Sequence, residues 1–205
     1  MTIESAMSFT LAIFIFSITP GPGIFAILAK AMINGAHSCF MLSLGMTISD
    51  IVYLIAACFG LAALAHHWGE LFTVVRLIGA AYLLYLGWKM WTARPNLTAQ
   101  PQKETKSGMI LSFGQGFLIS ASNPKVILFY IAFLPTFLDV ESLSGRDIVI
   151  ASVLTMFALM SGLMLVAYSA SKARILLRTD VSARWINRIA GSIMIGAGAF
   201  LASRS

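Results

Sequence analysis

Charge is scarce in this sequence. Only 11% of the residues are charged, against 59% hydrophobic, which excludes a soluble domain with an ordinary polar surface. Histidine is limited to His37, His66 and His67, all at predicted helix ends, so a metal centre at mid-bilayer would lack ligands. No HExxH, no P-loop and no G-x-S-x-G elbow occurs, and one deeply placed carboxylate is too few for an intramembrane aspartyl protease. An enzyme is therefore not expected, and neither a metal nor another cofactor is called for. Cysteine is limited to Cys39 and Cys58, 19 residues apart; on one straight helix they would be about 28 Å from each other, too far for a disulfide. No stretch reads as an ATP-binding domain, so any uphill work is expected to draw on an ion gradient or a partner.

What the chain has in abundance is long apolar runs. Residues 6–30, 38–65, 70–91, 109–137, 147–171 and 185–203 can each cross a hydrocarbon layer about 30 Å thick at about 1.5 Å per residue. The bilayer offers no water to unpaired backbone groups, so these runs must be helices. The first run follows Glu4 instead of a basic leader and is long for a signal peptide, which predicts a retained span.

The net charge of +6 is distributed by loop, which favours a membrane reading over nucleic-acid binding. Lys30 falls after the first span. Lys89, Arg94, Lys103 and Lys106 surround the third connection, and Lys172, Arg174, Arg178, Arg184 and Arg188 surround the fifth. The opposite side holds little more than Arg146 and Arg204. The positive-inside rule then puts the odd-numbered connections in the cytoplasm and both termini outside it. Trp68 at the outer end of the third span, Trp88 and Trp91 at its inner end, and Trp185 at the inner start of the sixth agree with that placement.

Residues 92–108 form the one long polar tract and lie between three predicted spans and three more. Each half opens with an interrupted helix: Thr19-Pro20-Gly21-Pro22-Gly23 in the first, Ser122-Asn123-Pro124-Lys125 in the second. Each ends with a helix carrying Arg-x-x-Gly-small, Arg76 to Ala80 and Arg188 to Ser192. Three spans per half make the second half run opposite to the first. The expected fold is an all-α integral membrane protein of six transmembrane helices in two inverted-topology three-helix repeats, 1–91 and 109–205, joined by a cytoplasmic linker at 92–108.

Proline removes an amide donor and glycine lowers the cost of unwinding. A proline kink that aids packing would explain either break alone; two matched breaks favour a site, because unwound backbone is tolerated in a membrane where it lines a cavity. The amino ends after Gly23 and Pro124 suit a carboxylate. Asp50, deep in the second span, must face the interior and either pair or carry a proton, since exposure to lipid costs about 2.5–3.5 kcal/mol. Lys125 can pair with Asp50 or attract a substrate carboxylate. Arg76 is shallower and better placed to snorkel outward, with a site role secondary. Tyr82, Tyr85 and Tyr168 are candidates to line a pathway, with packing the plainer reading. Gly79, Gly87, Gly191, Ser192, Gly196 and Gly198 suggest close helix packing, with a homodimer seam as the other reading.

In this order and spacing, Thr19-Pro20-Gly21-Pro22, Gly45 to Asp50, Gly79-Ala80-Ala81-Tyr82-Leu83 to Gly87, Asn123-Pro124-Lys125 and Phe133-Leu134-Pro135-Thr136-Phe137 resemble the LysE/RhtB family of amino-acid exporters, the threonine, homoserine and lysine efflux type. The chain departs from that family's pattern at Gly23, often asparagine there, and at Ser49, often glycine. The resemblance implies export of an amino acid or close derivative across a bacterial inner membrane in exchange for protons. Carried onto this chain, Pro20, Gly21, Pro22, Gly23, Asn123, Pro124 and Lys125 would hold the substrate, with Asp50 taking its ammonium group or the coupling proton. The expected partners are the amino acid, a proton or other ion and the bilayer. A divalent-cation exporter is the alternative, disfavoured by Lys125 and the shortage of oxygen ligands. A thiol oxidoreductase would need cysteines near both breaks, whereas both lie on the second span.

Overall fold

The computed structural model describes residues 1–59, 77, 80–81, 84–85, 87–92, 105–130, 144–176 and 180–203. Every regular element among them is helical. α1 spans Ile3–Ile18 and α2 Pro22–Asn34. A 3-10 turn over Ala36–Cys39 leads into α3, Phe40–Cys58. α4 is Lys106–Ala121, α5 Pro124–Leu128, α6 Gly145–Leu176 and α7 Asp180–Ser203.

Local chemistry sets the boundaries. Thr2 and Thr105 cap α1 and α4 by accepting from the amides of Ser5 and Gly108 at 3.1 and 3.2 Å, which satisfies orphan donors of the first turn. α4 therefore starts at Lys106, inside the polar tract expected to be linker. α2 stops at Gly35, whose φ of 84° belongs to backbone that favours glycine. Because α2 runs that far, Lys30 is inside it and not beyond the span's end, as its sequence position suggested; its ammonium bonds the Ser112 hydroxyl on α4. At 32 residues, α6 would be about 48 Å long. It overruns a bilayer and carries Lys172 past the expected end of the fifth span.

Among the described residues, Ala36–Cys58 and Gly145–Ala173 are long and apolar enough to cross a membrane, as are α1 and α2 taken as one span bent by 60°. Large apolar side chains such as Leu11, Ile15, Val52, Val153 and Phe157 lie exposed on the outside, as a hydrocarbon solvent allows. The expected third span falls largely outside the described residues, as do Arg76, Tyr82, Gly79, His66, His67 and Trp68.

Glycine decides how closely the helices approach. A Cβ on Gly45 of α3 would overlap the Phe113 carbonyl of α4, and one on Gly116 of α4 would overlap the Leu42 carbonyl of α3. These two helices thus touch backbone to backbone, the contact that small residues permit in membrane bundles. Gly87 and Gly191 are reciprocal in the same way, each Cβ falling 2.6–2.7 Å from the other's carbonyl oxygen. That fulfils the packing role expected of them. Gly196 meets nothing within 4 Å and is exposed. The buried core is in two parts, one around Ile27, Leu42, Met46, Leu163 and Met194, the other around Phe9, Ile13, Leu54, Tyr130 and Leu159.

Candidate functional site

The two helix breaks meet. At the first, α1 ends at Ile18 and α2 begins at Pro22; at the second, α4 ends at Ala121 and α5 begins at Pro124. A Cβ on Gly21 would lie 3.3 Å from Lys125 Cδ and 4.0 Å from Asn123 Nδ2, so glycine there lets one break approach the other.

In a continuous helix the Phe16 carbonyl would accept from the amide of residue 20 and the Thr19 carbonyl from that of residue 23. Pro20 has no N–H, so the Phe16 carbonyl accepts from the Thr19 amide at 3.2 Å, and the turn at Gly21 leaves the Thr19 carbonyl without Gly23. The Lys125 ammonium donates to both carbonyls, Phe16 O and Thr19 O, at 2.7 Å each. It also sits 4.1 Å from the centre of the Phe16 ring. A cation at the carboxyl end of α1 is where the helix dipole favours one.

At the second break Asn123 caps α5, its side-chain oxygen accepting from the Lys125 amide at 3.1 Å. That diverts the donor which would otherwise serve the Ala121 carbonyl, and the Tyr53 hydroxyl of α3 donates to that carbonyl at 2.6 Å. One residue earlier, the Ser120 hydroxyl donates to Oδ1 of Asp50.

Asp50 is 3% exposed and faces the bundle. It lines a cavity of about 40 Å³ together with Ser17, Gly21, Gly23, Ser120, Asn123 and Lys125. Ile24, Met46, Val126, Leu159 and Leu163 supply the apolar wall, drawn from both parts of the core. Asp50 and Lys125 share the cavity without forming an ion pair, because the ammonium is committed to α1. At the start of α2, Gly21 provides no side-chain cap, and the amides of Gly23 and Ile24, both cavity-lining residues, have no partner among the described residues. A space of that size admits a few water molecules and is smaller than an amino acid needs.

The sequence-predicted residues Gly21, Gly23, Asp50, Asn123 and Lys125 thus come together, and Pro20, Pro22 and Pro124 shape the breaks around them. Tyr85 and Tyr168, at 57% and 54% exposed, stand on the outside and line no part of this cavity. Sequence reasoning missed Ser120, Ser17, Tyr53 and Met46. Ser120 carried a usable signal, three residues before Asn123 at the end of a helix. Met46 carried none, yet its sulfur lies 3.4 Å from where a Cβ on Gly23 would be, so the thioether occupies space beside the glycine. Tyr130 and Thr155, both fully buried beside the second part of the core, have hydroxyls without a partner among the described residues. No three His, Cys, Asp or Glu side chains converge there among those residues, and Cys39 and Cys58 are both free thiols.

Broken helices that enclose a buried carboxylate, in a bundle whose outside is apolar, define a membrane transporter and not an enzyme. The chain belongs to the family described as LysE type translocator, which it matches over residues 14–205. It is 31% identical to a leucine efflux protein of Enterobacter sp. over 201 residues, 96% of this chain and 94% of that one. It is 34% identical to a leucine efflux protein of Salmonella typhimurium over 131 residues, 64% of this chain and 61% of the other. An uncharacterised membrane protein of Synechocystis is 30% identical over 93% of this chain and 91% of its own. No solved structure matches.

Proposed function

We propose that this protein exports an apolar amino acid, leucine or a close relative, from the bacterial cytoplasm in exchange for protons. The observation that carries the reading is the cavity between the breaks, polar on one side and apolar on the other. The free amides at the start of α2 and the Lys125 ammonium suit a carboxylate, Asp50 suits an ammonium group or a proton, and Ile24, Met46, Val126, Leu159 and Leu163 suit an aliphatic side chain. The leucine efflux relatives support that choice of substrate. In this reading the protein has six spans in two inverted halves, 1–91 and 109–205, with 92–108 and the other odd-numbered connections in the cytoplasm, and the site would lie at the midplane of an inner-membrane carrier. The cavity must widen for cargo to enter, so transport alternates this narrow arrangement with wider ones. A divalent-cation exporter lacks support, since Asp50 shares its cavity with an ammonium group and no cluster of acidic ligands.

The test is uptake of labelled leucine into everted vesicles with an acidic lumen. Wild-type protein concentrates leucine and stops doing so when the pH gradient is collapsed. Asp50→Asn loses gradient-driven accumulation, by at least about 10²-fold, as expected of the residue that carries the coupling proton. Full accumulation by Asp50→Asn would defeat the coupling role, and a wild type indifferent to leucine would defeat the substrate.

A further inference from the structure

The hydrogen bonds at the two breaks run crosswise. In the first half the Thr19 carbonyl, left without its helical donor, and the Phe16 carbonyl, which also accepts from the Thr19 amide, are served by Lys125 of the second. The carbonyl orphaned in the second half, on Ala121, is served by Tyr53 of the first. Each break leaves one carbonyl, Thr19 or Ala121, that its own helix does not serve.

Tyr53 lies three residues after Asp50 on α3, so both project from one face of that helix. Their partners, Ala121 and Ser120, are adjacent in the chain. α3 therefore grips the end of α4 at two successive residues, one contact through the Asp50 carboxylate and one through the Tyr53 hydroxyl. The Gly45 and Gly116 backbone contacts bring the helices close enough for this. Tyr53 is half-buried and does not line the cavity, so a direct contact with cargo is not its role.

We propose that Tyr53 is a positioning residue for transport, whose hydroxyl holds the Ala121 carbonyl so that Ser120 is presented to Asp50. The proposal rests on the export reading only for its transport readout. An unbraced Ala121 carbonyl has water or disorder as its alternatives, and either lets the Ser122 to Pro124 turn shift against Asp50.

Tyr53→Phe removes one oxygen and keeps the ring. In everted vesicles, maximal leucine flux should fall about tenfold while the half-saturating concentration stays within about twofold, the pattern of a lost step and not of lost binding. Adding Tyr53→Phe to Ser120→Ala should cost little more than Ser120→Ala alone, since both act on one contact. Hydrogen exchange of amides 118–127 in detergent should speed up about tenfold, with amides 3–18 unchanged. Wild-type flux with wild-type exchange, or fully additive losses in the double variant, would overturn the proposal. If Tyr53→Phe fails to accumulate, Tyr53→His, which keeps a ring donor, replaces it: accumulation and transport with His alone support the brace, and equal failure of both overturns it. A wild type that moves no leucine would count against the export reading, and the exchange measurement would then decide the brace by itself.

Discussion

The two breaks look alike in sequence and are held differently. The first contains two prolines and leaves the Thr19 carbonyl to a charged donor, Lys125, which reaches across from the other half and also bonds the Phe16 carbonyl. The second contains one proline, repairs part of the damage with its own Asn123 cap, and leaves one carbonyl to a neutral hydroxyl, Tyr53. A charged hydrogen bond is roughly twice as strong as a neutral one. The first break is thus the more tightly tied, but its tie is also the group most attractive to an incoming carboxylate. In the proposed export cycle a substrate anion that claims the Lys125 ammonium would take it from Phe16 and Thr19 and loosen the end of α1. The second break has no such competitor.

The sharpest way to break this comparison is Lys125→Met, which keeps the stem and removes the charge. Leucine efflux should fall to background, and stability in mixed micelles should drop by about 1.5–3 kcal/mol, the worth of a hydrogen bond to a charged group. An effect no larger than that of Tyr53→Phe would mean that the breaks are equivalent after all. Asn123→Ala is intermediate. Loss of the cap costs about 1 kcal/mol, and the Lys125 amide is then without its acceptor. Faster hydrogen exchange confined to the second break, with α1 unaffected, is the result expected.

Gly23→Ala should do least. Its Cβ would meet only the flexible end of Met46, at 3.4 Å from the sulfur, so a stability change within about 0.5 kcal/mol is expected. Leucine should still be carried, with a modest rise in half-saturating concentration as the apolar wall is crowded. A large loss would show that the Gly23 amide needs backbone freedom that alanine removes.

Much of this site was legible in the chain. Proline and glycine act on their own backbone, so the positions of both breaks could be read from Pro20, Pro22 and Pro124 without knowing any neighbour. The inward face of Asp50 followed from the cost of a carboxylate in lipid, which is the same wherever the helix packs. The Gly87 and Gly191 contacts were foreseeable as close packing, although not as a contact with each other. By contrast Lys125 was expected to pair with Asp50 or to attract substrate, and in place of the Asp50 pair it serves α1. Charge alone suggested the first partner, whereas the Phe16 and Thr19 carbonyls come within reach of Lys125 only because both breaks lie side by side. Lys30 was misplaced for a simpler reason: the end of α2 is set by Gly35, five residues later, and hydropathy does not register that turn.

The amino-acid order by itself determined an apolar helical bundle, two interruptions and one carboxylate kept from lipid, because each depends on a residue's own backbone or on its transfer from water. Which donor answers each orphaned carbonyl, how near α3 comes to α4, and the apolar wall of Ile24, Met46 and Leu159 were decided only by the tertiary structure. The hydrogen bonds among those features join residues from 68 to more than a hundred positions apart, and hydrogen bonds and packing at contact range carry no trace in the local pattern of either partner.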